Sequence, residues 1–159
     1  MVETSRLIIK KWTVDMAGDF LELSHDEGFT LYPITDYRQA DIESARVWIQ
    51  KNTGKYAVIE KSSGCVIGMG GLTPWHWEGE DLVDLTYRFK ASAQGKGYGT
   101  ELARALIAYG FTTLNLTQIT ATITTDNITS KKLAEKLGMK FDRQIVLLNI
   151  PTDMYRLYK

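Results

Sequence analysis

Gln94-Gly95-Lys96-Gly97-Tyr98-Gly99-Thr100 sets glycines at alternate positions between two regular patterns. Before it, Val83, Leu85, Tyr87 and Phe89 alternate with Leu82, Asp84, Thr86 and Arg88, the period of a strand. After it, Glu101 to Phe111 puts Leu102, Leu106, Tyr109 and Gly110 on one helical face. A glycine-rich loop therefore joins a strand end to a helix start. Such a joint aims backbone N–H groups and the positive end of a helix dipole at one spot. Glycine lets a bulky anion approach, since no Cβ stands in the way. The stretch reads as a pyrophosphate cradle. It is not a P-loop, because Gly97 rather than Ser or Thr follows Lys96. It is not a dinucleotide fingerprint either: the glycine spacing differs, and the region around Gln118 and Ile119 lacks the required acid.

The chain has 159 residues, a length that predicts a single domain over 1–159. Lys plus Arg and Asp plus Glu both number 19, so nucleic acid and anionic membranes are not expected as main partners. The sequence has no apolar run of membrane-spanning length and no signal-like start, which predicts a cytoplasmic protein. Cys65 is the sole cysteine, so there is no internal disulfide; it reads as a small core residue rather than a nucleophile. His25 and His76 are too isolated for a metal cluster, and no metal is expected.

In chain order, Arg6–Lys10 reads as a first strand and Met16, Phe20 and Leu23 as one face of a helix. His25–Tyr37, with Gly28 and Pro33, reads as a loop or broken helix. Ala40–Asn52 reads as a second helix with Ile42, Ala45, Trp48 and Ile49 inward. Tyr56–Glu60 and Cys65–Leu72 form a hairpin, and Thr73–Glu80 is expected as an aromatic-rich loop. Gln118–Thr124 is a β-branched strand. Asn127 opens a helix closed by Gly138, with Met139 supplying the apolar contact. Met139–Ile150, interrupted at Asp142-Arg143, and Thr152–Tyr158 are the last strands. The expected fold is α/β or α+β: a mixed, mostly antiparallel sheet of about seven strands with about four helices on its faces.

Gln94, Gly97 and Gly99 fit Gln/Arg-x-x-Gly-x-Gly/Ala, which resembles the coenzyme A loop of the GCN5-related N-acetyltransferases (GNAT). Asn127 to Met139 is similar to that family's Asn-x-x-Ser/Ala…Glu-Lys-Leu-Gly-Phe helix. Thr4-Ser5-Arg6-Leu7-Ile8-Ile9 and Asp84–Phe89 resemble two strands of its ribosomal-protein N-acetyltransferase branch. The element order is also the family's. The resemblance implies transfer of acetyl from acetyl-CoA to a primary amine, by direct attack with both substrates bound. It implies that backbone groups of Phe89, Lys90 and Ala91 hold the pantetheine arm and polarise the thioester carbonyl. Gln94, Gly95, Lys96, Gly97, Tyr98, Gly99 and Thr100 would hold the pyrophosphate. Asn127 would bond the pantetheine or nearby backbone, with Ser130 one turn on.

Asp84 matches a position where relatives carry a proton-accepting glutamate; it could instead form a surface charge pair with Arg88. The tyrosine that many relatives use as the acid is replaced by Ala134. Ser130 and Tyr87 are the candidate substitutes, though Ser130 could simply be a capping hydroxyl. A thiol pKa of about 8.5 makes a dedicated acid dispensable. Phe29, Tyr32, Trp75 and Trp77 are candidates for the walls of an acceptor cleft, or for core or dimer contacts, and His76 would line the same pocket. The resemblance leaves the acceptor open among protein N-terminus, polyamine, amino acid and aminoglycoside, and leaves monomer and homodimer open. A coenzyme-binding module that acylates nothing is the competing function.

Overall fold

The computed structural model describes residues 2–32 and 36–159. Pro33, part of the expected loop, lies outside them. The strands are β1 (Val2–Glu3), β2 (Leu7–Lys11), β3 (Lys55–Glu60), β4 (Val66–Trp77), β5 (Glu80–Phe89), β6 (Gln118–Thr124), β7 (Lys140–Leu147) and β8 (Ile150–Tyr158). The helices are α1 (Ala17–His25), α2 (Glu27–Thr30), α3 (Ile42–Lys51), α4 (Tyr98–Thr112) and α5 (Ile128–Lys136). The strands form one sheet in the order β1-β2-β3-β4-β5-β6-β8-β7. Among the described residues only β5 and β6 run parallel, and their ladder holds a single register pair, Asp84 with Thr120. Beyond that pair the two central strands part.

Strand alternation sends side chains to two layers. On one face Leu72, Leu85 and Phe89 meet Leu102 and Leu106 of α4 in the larger core. On the other, Ala57 and Met69 pack beneath α1 and α3, where Phe20 stacks on Trp48 with ring centroids 4.0 Å apart. Each fully buried side chain of this size contributes roughly 1.5–3 kcal/mol through apolar burial. Asp41 caps α3 through a reciprocal box with Ser44, which defines where that helix starts. At the end of α5, Met139 N–H donates to Ala134 C=O and Gly138 N–H to Glu135 C=O; Gly138 sits at φ 86°. This Schellman closure, with Met139 buried, satisfies the last carbonyls as the sequence predicts.

The sheet differs from expectation in several places. Thr73–Trp77 is strand rather than loop: β4 runs on to Trp77 and turns at Glu78-Gly79, both at positive φ, into β5. That two-residue turn matches the twist of a hairpin. Pro74 is tolerated because β3 has already ended at the Lys55–Gly71 pair, leaving β5 as the sole neighbour of β4 there. The last hairpin turns at Leu148-Asn149, also at positive φ, inside the run Met139–Ile150 expected as strand. The break at Asp142-Arg143 is a register shift within β7. The short β1 raises the count to eight strands, and α2 is the extra helix. Ile42 is 40% exposed because, as the first residue of α3, it lies beyond the packed stripe. Cys65 is exposed in the β3–β4 turn, not in the core.

Candidate active site

Where β5 and β6 part, a cleft of about 520 Å³ opens between them. Leu85 to Phe89 line one side and Ala121 to Thr124 the other; Gln94, Gly95 and Gly99 lie at one end, and Asn127, Ser130, Leu133 and Ala134 along α5. Asp84, Tyr32, Tyr37, Lys55, Thr73 and Trp75 also line the cleft.

The glycine loop is shaped as the sequence requires. Gly97 caps α4 at φ 81° and Gly95 sits at φ 74°, conformations that L side chains adopt at a cost of roughly 1–2 kcal/mol. Among the described residues, the amides of residues 95 to 100 meet no acceptor within the chain. They are orphan donors at the positive end of a 15-residue helix, an arrangement that fits a diphosphate. Tyr98 is buried: its hydroxyl donates to Glu60, and its ring lies under the Arg6 guanidinium at 4.5 Å. The Tyr98 side chain thus anchors the loop from below. Arg6 also donates to Lys96 C=O at 3.0 Å and pairs with Glu101 at 2.7 Å, tying the start of the chain to the helix. Burial alone would raise the Glu101 pKa, but hydrogen bonds from Thr4, Arg6 and Ser5 outweigh it and hold the carboxyl at about 2.

The end of β5 is braced rather than open. Lys90 N–H donates to Ile67 C=O at 2.9 Å and Ala91 N–H to Asp26 Oδ1 at 2.8 Å. Lys90 Nζ pairs with Glu22 at 2.6 Å. Phe89 lines the cleft and accepts from Gln94 Nε2 at 3.3 Å, whereas Lys90 and Ala91 do not line it. Their amides are therefore already engaged. Gly28 allows this bracing, since a Cβ there would fall 2.4 Å from Ala91 N.

Asp84 lies at the point of divergence. Thr120 donates to its Oδ1 at 3.2 Å, Thr122 to Oδ2 at 3.1 Å and Thr86 to Oδ2 at 3.5 Å. Burial raises its pKa from the ordinary 3.8 to about 7, against the opposing pull of those hydroxyls. It forms no ion pair with Arg88. That guanidinium donates to Phe29 C=O at 3.1 Å and Tyr32 C=O at 2.8 Å, and lies over the Tyr37 ring at 5.0 Å. Arg88 thereby fastens the loop after α2 to the sheet.

Asn127 caps α5 by accepting from Ser130 N–H at 3.1 Å. The Ser130 side chain hydrogen-bonds the Tyr87 phenol; burial raises that phenol's pKa and Ser130 opposes the rise. The aromatic candidates separate. Trp75 lines the cleft, and its Nε1 donates to Thr120 Oγ1 at 3.3 Å, so it supports the hydroxyl that supports Asp84. Phe29 and Tyr32 line the cleft as well, with the Phe29 ring buried edge-on to Tyr37. Trp77 packs with Trp75, Leu82 and Ile145 in a small separate cluster. His76 points away, exposed beside Asp81 at 2.8 Å. Sequence reasoning missed Lys55, Thr120 and Thr122. The two threonines share a strand face in the run Gln118–Thr124, but only the β5–β6 register sets them against Asp84.

The profile of the acetyltransferase (GNAT) domain matches residues 6–140. YnaD of Bacillus subtilis, an uncharacterized N-acetyltransferase, is 30% identical over 144 residues, covering 87% of this chain and 82% of YnaD. The fold matches a GNAT-family acetyltransferase from Bacillus anthracis with a TM-score of 0.82 at 24% identity, covering 99% of this chain and 97% of that one. A proposed ribosomal-protein-serine acetyltransferase from Vibrio cholerae matches with a TM-score of 0.78 at 21% identity, covering 99% and 97%. This chain belongs to the GNAT acetyltransferase family. Among the described residues no cluster could hold a metal ion, and no helix is long and apolar enough to cross a membrane.

Proposed function

We propose that this protein transfers acetyl from acetyl-CoA to a primary amine, on a protein N-terminus or a small molecule, by direct attack with both substrates bound. The observation that carries the reading is a buried carboxyl, Asp84, at the single register pair where the strands part, lining the same cleft as glycines of a loop whose amides are free. Acetyl-CoA supplies the activated carbonyl. The amides of residues 95 to 100 hold its diphosphate, and the gap between β5 and β6 admits the pantetheine arm.

An amine is mostly protonated near pH 7 and must lose a proton to attack. The Asp84 carboxylate is the base that takes it, directly or through water, with a pKa close to working pH as efficient proton transfer requires. The amine nitrogen bonds to the acetyl carbon as the carbon–sulfur bond breaks, and the sulfur leaves with the electron pair. Ala134 offers no proton at the family's acid position; the Ser130 and Tyr87 hydroxyls are the nearby donors for the sulfur.

The test is to mix the purified protein with acetyl-CoA and a panel of amines, following free thiol, with CoA binding measured by calorimetry. Amine-dependent thiol release is expected. Binding without release for any amine would identify a coenzyme-binding module instead, and absence of binding would remove both readings.

A further inference from the structure

The lining of the cleft has an uneven charge. Asp84 is the sole acid among its lining residues, whereas Lys55 and Arg88 both line it. Arg88 is spent on the carbonyls of Phe29 and Tyr32. Lys55 is not: among the described residues its ammonium forms no hydrogen bond and no ion pair. Lys55 opens β3 on the rung Lys55–Gly71–Thr86, two rungs from Thr73–Asp84, so the lysine and the proposed base share one sheet face. Thr73 Oγ1, on the Asp84 rung, is also buried without a partner among the described residues. Burial lowers the Lys55 pKa; Asp84 opposes that and Arg88 reinforces it. A partly desolvated cation with no acceptor among the described residues is favoured by an anionic group that a ligand brings beside it.

Resting on the acetyl-transfer reading above, we infer that the acceptor amine carries a carboxylate, which Lys55 receives while Asp84 faces the amine. The acceptor class is that of an amino acid. A polyamine or aminoglycoside would bring several positive charges into a site with one acid and two cations, and like-charge contact there is repulsive.

The experiment compares common α-amino acids with their primary carboxamides and with spermidine, in the wild-type protein and in Lys55→Gln and Lys55→Arg, with CoA binding measured alongside. The wild type should prefer the carboxylate form. Lys55→Gln should raise its KM by at least about 30-fold, the loss expected when one partner of a buried charge pair is removed. It should leave CoA affinity and the carboxamide KM within about 3-fold, and Lys55→Arg should restore part of the loss. Equal losses for carboxylate and carboxamide, or spermidine as the better acceptor, would overturn the assignment. A protein that binds CoA but neither binds nor acetylates any carboxylate-bearing amine overturns this inference alone. One that binds no CoA overturns the acetyl-transfer reading and this inference with it.

Discussion

Asp84→Asn should make the protein less active and, above neutrality, more stable. The folded carboxyl has a pKa of about 7 against an ordinary 3.8, so the folded state holds this proton more tightly than the unfolded chain does. The stabilisation is complete below about pH 4 and is lost as pH rises through about 7, amounting to roughly 4 kcal/mol at full ionisation. Asparagine has no charge to bury and can still accept from Thr120. Urea unfolding at about pH 4 should find the two proteins within about 1 kcal/mol of each other. At about pH 8 the variant should be more stable by roughly 2–4 kcal/mol. Its kcat/KM should fall by about 10²–10⁴, and the acid limb near pH 7 should vanish from the rate profile. A variant no more stable at alkaline pH would refute the raised ionisation. A variant keeping the limb would refute Asp84 as the base.

Thr122→Val removes the largest force holding the Asp84 pKa down, so the acid limb should move up by about one pH unit, read from kcat/KM against pH. Gly97→Val forces a β-branched residue to φ 81° at the helix cap; calorimetry should show CoA affinity reduced by at least about 10-fold, with circular dichroism unchanged. Unaltered affinity would mean that the loop does not hold the diphosphate. Glu101→Gln breaks the contacts to Thr4, Ser5 and Arg6. Because the folded pKa is depressed to about 2, that stabilisation is present above about pH 4.5 and fades as pH falls through 2. Urea melts near neutral pH should show a loss on the order of 2 kcal/mol, allowing for the half-exposed Arg6, and a much smaller difference near pH 2.

Local sequence determined what local forces control. Alternating side chains made β5, helical periodicity made α4, and glycines at positive φ made the loop between them, all within about 30 residues of chain. The capping of α5 by Asn127 and its closure by Gly138 were readable for the same reason, since each is a backbone hydrogen-bond pattern spanning a few positions. The aromatic run Thr73–Trp77 misled because its strand character comes from pairing with β5 across the Glu78-Gly79 turn, not from composition. Tertiary structure alone decided which polar groups meet. Thr120 and Thr122 reach Asp84 from a strand in parallel register, Lys55 arrives from β3, and Arg88 turns to the carbonyls of a loop far away in sequence. Strand alternation turned His76 to the face opposite Trp75 and Trp77, and of those two packed rings only Trp75 lines the cleft. A side chain's ionisation and partners follow from what surrounds it in space, and spacing along the chain carries no record of that.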